Sequence, residues 1–127
     1  MPSSKRESYS KKKTVSVGRE FEARAETFLV QNGYEVIERN WRGGRKEIDL
    51  IARKDEVVAF VEVKAAASER FGHPSEKVDK KKQAHLTEAA RRYIVDKAIT
   101  GVDLRFDVIT FVNGKLEHFP GAFEATE

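Results

Sequence analysis

From about Val15 the apolar positions take up a helical beat: Val17, Phe21, Ala25, Phe28 and Leu29 fall three and four apart, and Asn32-Gly33 supplies a stop. The pattern predicts an amphipathic helix of about four turns, with Glu22 beside its apolar stripe. Then the period shortens. Tyr34 to Trp41 predicts a first strand, Arg42-Gly43-Gly44-Arg45 a turn, and apolar runs at about 47 to 53 and 56 to 64 two more strands. Their separation by only Lys54-Asp55 or a similar short loop predicts an antiparallel hairpin. Ala65 to His73 reads as a polar loop, and Pro74 suits the first turn of a helix. Asp79 is placed to cap a longer helix reaching about Asp96, whose stripe is Leu86, Ala89, Ala90, Tyr93 and Ile94. Beyond Gly101, Leu104 to Val112 predicts a strand, Asn113-Gly114 a hairpin turn and Lys115 to Phe119 its return.

The order helix, three strands, helix, two strands implies an α/β or α+β mixed sheet with helices packed on it. The second helix is the crossover required if strands three and four run parallel. At 127 residues the chain is expected to be one domain over residues 15–127. Residues 1–14, opening MPSSKRESYSKKK, are polar and aperiodic and predict a disordered basic arm. No internal repeat is visible.

Composition removes several classes of function. No segment approaches the roughly 18 apolar residues of a membrane span, so no membrane partner is expected. The basic N-terminus has no apolar run behind it, which argues against a secretory signal. The absence of cysteine excludes disulfides, thiolate metal sites and a cysteine nucleophile, and agrees with a cytoplasmic protein. His73, His85 and His118 are scattered without metal spacing and predict packing or solvated roles; Trp41 and Phe71 predict core or loop anchors rather than stacking platforms.

Net charge is +3, but Lys5, Arg6, Lys11, Lys12 and Lys13 against Glu7 put +4 in the arm and leave the rest of the chain at −1. Distribution says more than the total. Arg39, Arg42, Arg45, Lys46, Arg53 and Lys54 fall in one window, and Lys77, Lys80, Lys81, Lys82, Arg91 and Arg92 in another. On charge alone these read either as an electrostatic footprint for phosphates or as solvated faces.

The stretch EIDLIARKDEVVAFVEVK, residues 47 to 64, raises the chemical question. Glu47, Asp49, Glu62 and Lys64 stand inside its apolar runs, where each uncompensated ion costs on the order of several kcal/mol. Side chains alternate across a strand, so Glu62 shares a face with Lys64, and Glu47 with Asp49. If opposed residue numbers sum to 109 or 111, all four land on one side. The second register, with Lys54 opposite Val57, sets Asp49 directly across from Glu62, Cβ atoms about 4.5 to 5.5 Å apart. A sum of 110 separates them. Opposed carboxylates need protonation, a lysine or a hard divalent cation; oxygen ligands with retained waters suit Mg²⁺ and leave room for a phosphate oxygen. The same pattern also describes a surface ion pair.

The residues then reach a known family. The helix GREFEARAETFL, the Gly-Tyr and Asn-Trp-Arg of NGYEVIERNWR, EIDLIA, FVEVK, the FGHP loop, VDKKKQAHLTEAARRYI and RFDVI, in this order, resemble the YraN family over about Gly18 to Phe123. These are small uncharacterised bacterial proteins regarded as predicted endonucleases, related in fold to archaeal Holliday-junction resolvases and to the wider PD-(D/E)xK nucleases. The resemblance implies an α/β, restriction-endonuclease-like, mixed five-stranded sheet flanked by helices. It implies Asp49 and Glu62 as principal metal ligands, Glu22 as a ligand directly or through water, and Lys64 as the catalytic lysine. Glu47 and Lys82 follow as second-tier residues that position metal or phosphate. Departures are Lys46 where glycine commonly precedes Glu-Ile-Asp, Ala66 in place of an arginine, and Phe21 in place of a glycine. None removes a ligand.

The expected function is a Mg²⁺- or Mn²⁺-dependent phosphodiesterase on DNA, branched DNA by analogy with the resolvases. Arg42, Arg45, Lys46, Lys80 and Lys81 would track the backbone. Cutting paired strands of a junction requires a two-fold homodimer. The alternative is a nucleic-acid-binding module of the same fold without turnover.

Overall fold

A computed structural model of the chain describes residues 18–66 and 78–126. The basic arm at 1–14, the loop with Phe71 and His73, and the turn at Pro74 lie outside the described residues. Helix α1 spans residues 18–31. There follow β1 (Glu35–Gly43), β2 (Lys46–Lys54), β3 (Val57–Ala66), α2 (Lys80–Asp96), β4 (Asp103–Val112) and β5 (Lys115–Phe123). The strands form one sheet in the order β1-β2-β3-β4-β5; β3 and β4 are parallel and every other pair antiparallel. Helix α2 makes the crossover that a parallel pair demands.

Each helix begins or ends for a local reason. The α1 stop is Asn32-Gly33: the Tyr34 N–H donates to the Leu29 carbonyl at 2.9 Å, and Gly33 turns the chain with φ 90°, a conformation that costs glycine little. The α2 start is Asp79, whose carboxylate accepts from the Lys82 N–H at 2.8 Å.

The two helices cover opposite faces. Ala25 and Leu29 of α1 pack on Leu50, Ala52, Ala59, Val61, Ile109 and Phe111. Leu86, Ala89, Ala90 and Tyr93 of α2 pack on Ile48, Ile51, Val58, Phe60, Phe106 and Val108. Strand β3 alternates between the two clusters, as a central strand buried on both faces should.

Strand β5 runs further than its sequence predicts, through Pro120 to Phe123. Proline breaks a ladder only where its missing N–H is needed. Here the β4–β5 register shifts between Phe106 and Val108, so Pro120 falls in a bulge on an edge strand.

Gly43, at the end of β1, is required by close approach. A Cβ there would sit 2.7 and 2.8 Å from ring carbons of Trp41 and 3.2 Å from Arg92 Cδ of α2. Gly43→Ala is expected to cost about 1–3 kcal/mol by overpacking. The check is a lower urea midpoint with altered emission from Trp41, the one tryptophan in the chain.

Candidate active site in the fork between β2 and β3

Strands β2 and β3 pair from Lys54↔Val57 to Leu50↔Val61, an opposed sum of 111, which is one of the two registers that bring the acids together. The ladder stops there, one step short of Asp49 and Glu62. β3 continues alongside β4 while β2 turns away toward its hairpin with β1, opening a fork. Inside it the Val63 N–H donates at 2.8 Å to the Asp49 carboxylate instead of to a β2 carbonyl. A buried N–H must be paired, and the strand divergence makes the aspartate its partner.

Glu62 is 4 % exposed, and its charge acts on Asp49 across the fork. Its Oε2 lies 3.5 Å from Lys64 Nζ and 3.4 Å from Lys82 Nζ. Lys64 comes from the same face of β3, and Lys82 reaches down from the first turn of α2. Burial first, and the charge of Glu62 second, push the Asp49 carboxyl up to about 8 against the opposing Val63 hydrogen bond. The direct approach of the Glu62 side chain and the charge of Glu22 add to the rise. Glu22, half-buried on α1, is thus felt at the fork as a nearby negative charge. Among the described residues no three acids or imidazoles form a ready-made metal cage.

Glu47 does not join the others. Lys46 forms an ion pair with Glu88 of α2, and Ile48 packs in the α2 cluster, so Glu47 between them faces away and pairs with Arg42 at 3.3 Å. The expectation that all four charged residues of the hairpin share one side is corrected here, because strict alternation breaks at Asp49: Ile48 and Leu50, two apart, pack on opposite faces.

The basic residues are unevenly engaged. Arg42 is 71 % exposed despite its pairing with Glu47, and Lys46 is tied to Glu88. Arg45, Lys80 and Lys81 are exposed and form no ion pair among the described residues. Lys80, Lys81 and Lys82 occupy the first turn of α2, which holds no acid. The helix dipole favours anions there, so three lysines oppose helix stability and concentrate positive potential above the fork.

One buried acid escaped the sequence reading as a unit. Asp107 on β4 is fully buried and accepts from Arg105 Nε and Nη2 at 2.8 Å each, from the Gly121 N–H at 3.1 Å, and pairs with His118 Nε2 at 2.8 Å. Arg105 also donates to the Tyr34 hydroxyl at 2.5 Å. Burial pushes the Asp107 carboxyl up, but the bonds from His118, Arg105 and Gly121 outweigh it and the net shift is downward. The available signal was an Arg-x-Asp inside an apolar strand; the other members of the network lie as far apart in sequence as Tyr34 and Gly121.

A mixed five-stranded sheet clasped between two helices, with its acids at a strand fork, is consistent with a restriction-endonuclease-like fold. Residues 21–111 match the Uncharacterised protein family UPF0102, and the chain belongs to that family, also called the YraN family. A UPF0102 protein of Chloroherpeton thalassium is 46% identical over 98 residues, covering 77% of this chain and 76% of its own. One of Persephonella marina is 36% identical over 107 residues, 84% and 92% of the two chains. One of Clostridium perfringens is 40% identical over 99 residues, 78% and 81%. No helix among the described residues is long and apolar enough to cross a membrane.

Proposed function

We propose that this chain is a metal-dependent phosphodiesterase acting on DNA, with Asp49 and Glu62 as its cation ligands. The observation that carries the reading is a buried Glu62 beside a half-buried Asp49 that the Val63 N–H holds in the fork, with the charge of each felt by the other. Ionising both there is costly without an added cation, and paired hard oxygens with room for water suit Mg²⁺ or Mn²⁺. Bound there, a divalent cation supplies charge neutralisation for a phosphate and activation of a water.

The chain's own residues do the rest. Val63 holds Asp49 through its N–H. Lys64, beside Glu62 and half-exposed, orients the attacking water or neutralises charge developing on the phosphate. Lys82 anchors phosphate from the helix side, and Glu22, whose charge reaches Asp49, adds a carboxylate through water. Arg42, Arg45, Lys80 and Lys81 contact the DNA backbone, which gives salt-sensitive, largely sequence-independent binding.

A second reading has its own support: Lys64 and Lys82 already neutralise Glu62, as they would in a DNA-binding module without turnover. A cleavage panel of linear, nicked, flapped and four-way DNA, titrated with Mg²⁺ and Mn²⁺, separates the two. Metal-dependent cleavage by the wild type that disappears in Glu62→Ala supports the enzyme. Salt-sensitive binding without cleavage of any member supports the module.

A further inference from the structure

Residues two apart on a strand share a face; they fail to at the register shifts of β1 and β5, and at one further place where no residue is added. In β1, Arg39 forms an ion pair with Glu26 of α1, whereas Trp41 packs edge-on against Tyr93 of α2 with ring centroids 5.2 Å apart. In β2, Leu50 packs with Ala25 and Leu29 of α1, whereas Ile48 belongs to the cluster under α2. Arg39 pairs with Leu50 and Trp41 with Ile48, so no residue is inserted and the inversion falls between those pairs, at Asn40 and Asp49.

Asn40 has φ 50°. Among the described residues four non-glycine positions have positive φ: Asp55 and Asn113 sit in hairpin turns, Ala98 lies just past α2, and Asn40 alone stands inside a strand. A left-handed residue there turns over everything beyond it. The tip of the β1–β2 hairpin therefore presents Trp41, Gly43, Lys46 and Ile48 to α2, while Arg39 and Leu50 stay with α1. Asp49, at the crossing point, is directed along the sheet to the Val63 N–H and to Glu62.

We infer that Asn40 is a positioning residue for the site: its left-handed backbone sets the inversion that delivers the Asp49 carboxylate into the fork. Asparagine adopts that conformation at lower cost than other side-chain-bearing residues, and glycine at none. The consequence for cation binding rests on the metal-dependent reading; the geometric claim does not.

The test uses the full chain, ¹⁵N-labelled and metal-free, with Asn40→Gly, Asn40→Ala and Asn40→Val. Asp55→Ala is the control, because it puts the same backbone penalty in the β2–β3 turn. The readout is hydrogen-exchange protection of the Val63 amide relative to that of Ala59, which lies on the same side of β3 within the β2–β3 ladder. Asn40→Gly and Asp55→Ala are expected to keep the Val63 amide protected. Asn40→Ala and Asn40→Val are expected to lower its protection by about tenfold or more, the factor matching the left-handed penalty of such residues. Asn40→Ala carries the test if Asn40→Val does not fold. In the same samples Mn²⁺ affinity, read by electron paramagnetic resonance, should fall about 10- to 100-fold in the alanine variant and recover in the glycine variant. Equal loss of Val63 protection in Asn40→Gly, or no loss in Asn40→Ala, overturns the inference. The expected Val63 pattern without Mn²⁺ binding by the wild type sinks the metal reading and upholds the role of Asn40.

Discussion

Asp49→Asn is expected to stabilise the metal-free protein and, in the same molecule, to abolish divalent-dependent cleavage. The two effects share one cause. The Asp49 carboxyl is raised to about 8 by burial and by Glu62, so the folded state holds its proton far more tightly than the unfolded chain. A raised acid pKa means that its contribution to stability is fully present below the unfolded value near 3.8 and is lost as pH climbs through the folded value near 8. The slope of that loss is at most about 1.4 kcal/mol per pH unit. The amide stays neutral and escapes it. The difference in stability between Asp49→Asn and wild type should therefore open from about pH 4, widen to about pH 8 and then level off, reaching on the order of a few kcal/mol. Urea midpoints from pH 4 to 9 in chelator provide the measurement. Added Mg²⁺ should raise the midpoint of the wild type and leave that of the variant in place. Cleavage should drop by about 100-fold or more, beyond what loss of an outer partner usually costs. A variant less stable than wild type at pH 9 would show that the buried pair is not in conflict there.

This opposition between stability and function explains why the hairpin was conspicuous in the sequence. Charges inside apolar runs broke the period-2 pattern, and the short Lys54-Asp55 connection narrowed the register to a few values, one of which the structure adopts. The helices were equally legible, because Leu86, Ala89, Ala90 and Tyr93 carry a clean helical period and Asp79 caps where its side chain can reach Lys82. The turning over at Asn40 was not legible. β2 is buried on both faces around Ile48, Leu50 and Ile51, so its apolar residues carry no face information, and one asparagine in a strand does not announce a positive φ. Glu47 was consequently assigned to the wrong side. The end of β5 was misread for the opposite reason: Pro120 is a strong breaker signal, and only the bulge opposite Asp107 shows why the strand tolerates it. Glu22 came from resemblance alone, since nothing local ties a helix glutamate to a distant hairpin.

The second large effect is expected at Asp107→Ala. Asp107 is a fully buried carboxylate of the opposite kind, satisfied by Arg105, His118 and the Gly121 N–H, and it joins β4 to the bulge of β5 beneath Phe28 and Tyr34 of the α1 side. Removing it leaves the Arg105 guanidinium, among the described residues, with the Tyr34 hydroxyl as its hydrogen-bond partner and opens a void at the bulge. Breaking a buried pair from one side costs about 3–5 kcal/mol. In a domain of this size that is a drop in Tm on the order of 10 °C or more, read by calorimetry. Its pH signature is the mirror image of the one at Asp49. The Asp107 pKa is lowered, so its contribution is present above the ordinary aspartate value and is lost as pH falls through the folded value. Wild type and Asp107→Ala should therefore converge in stability on acidification below about pH 4 and stay fully separated at neutral pH. Cation binding at the fork should be nearly unchanged in any Asp107→Ala protein that remains folded, because the network lies on the α1 face of β4 and β5, whereas Glu62 and Lys64 lie on the α2 face of β3. The sheet thus keeps two aspartates in separate roles: Asp107, buried and satisfied by its partners, holds the edge of the fold, and Asp49, half-buried and in conflict with Glu62, is the one a cation would relieve on the metal-dependent reading.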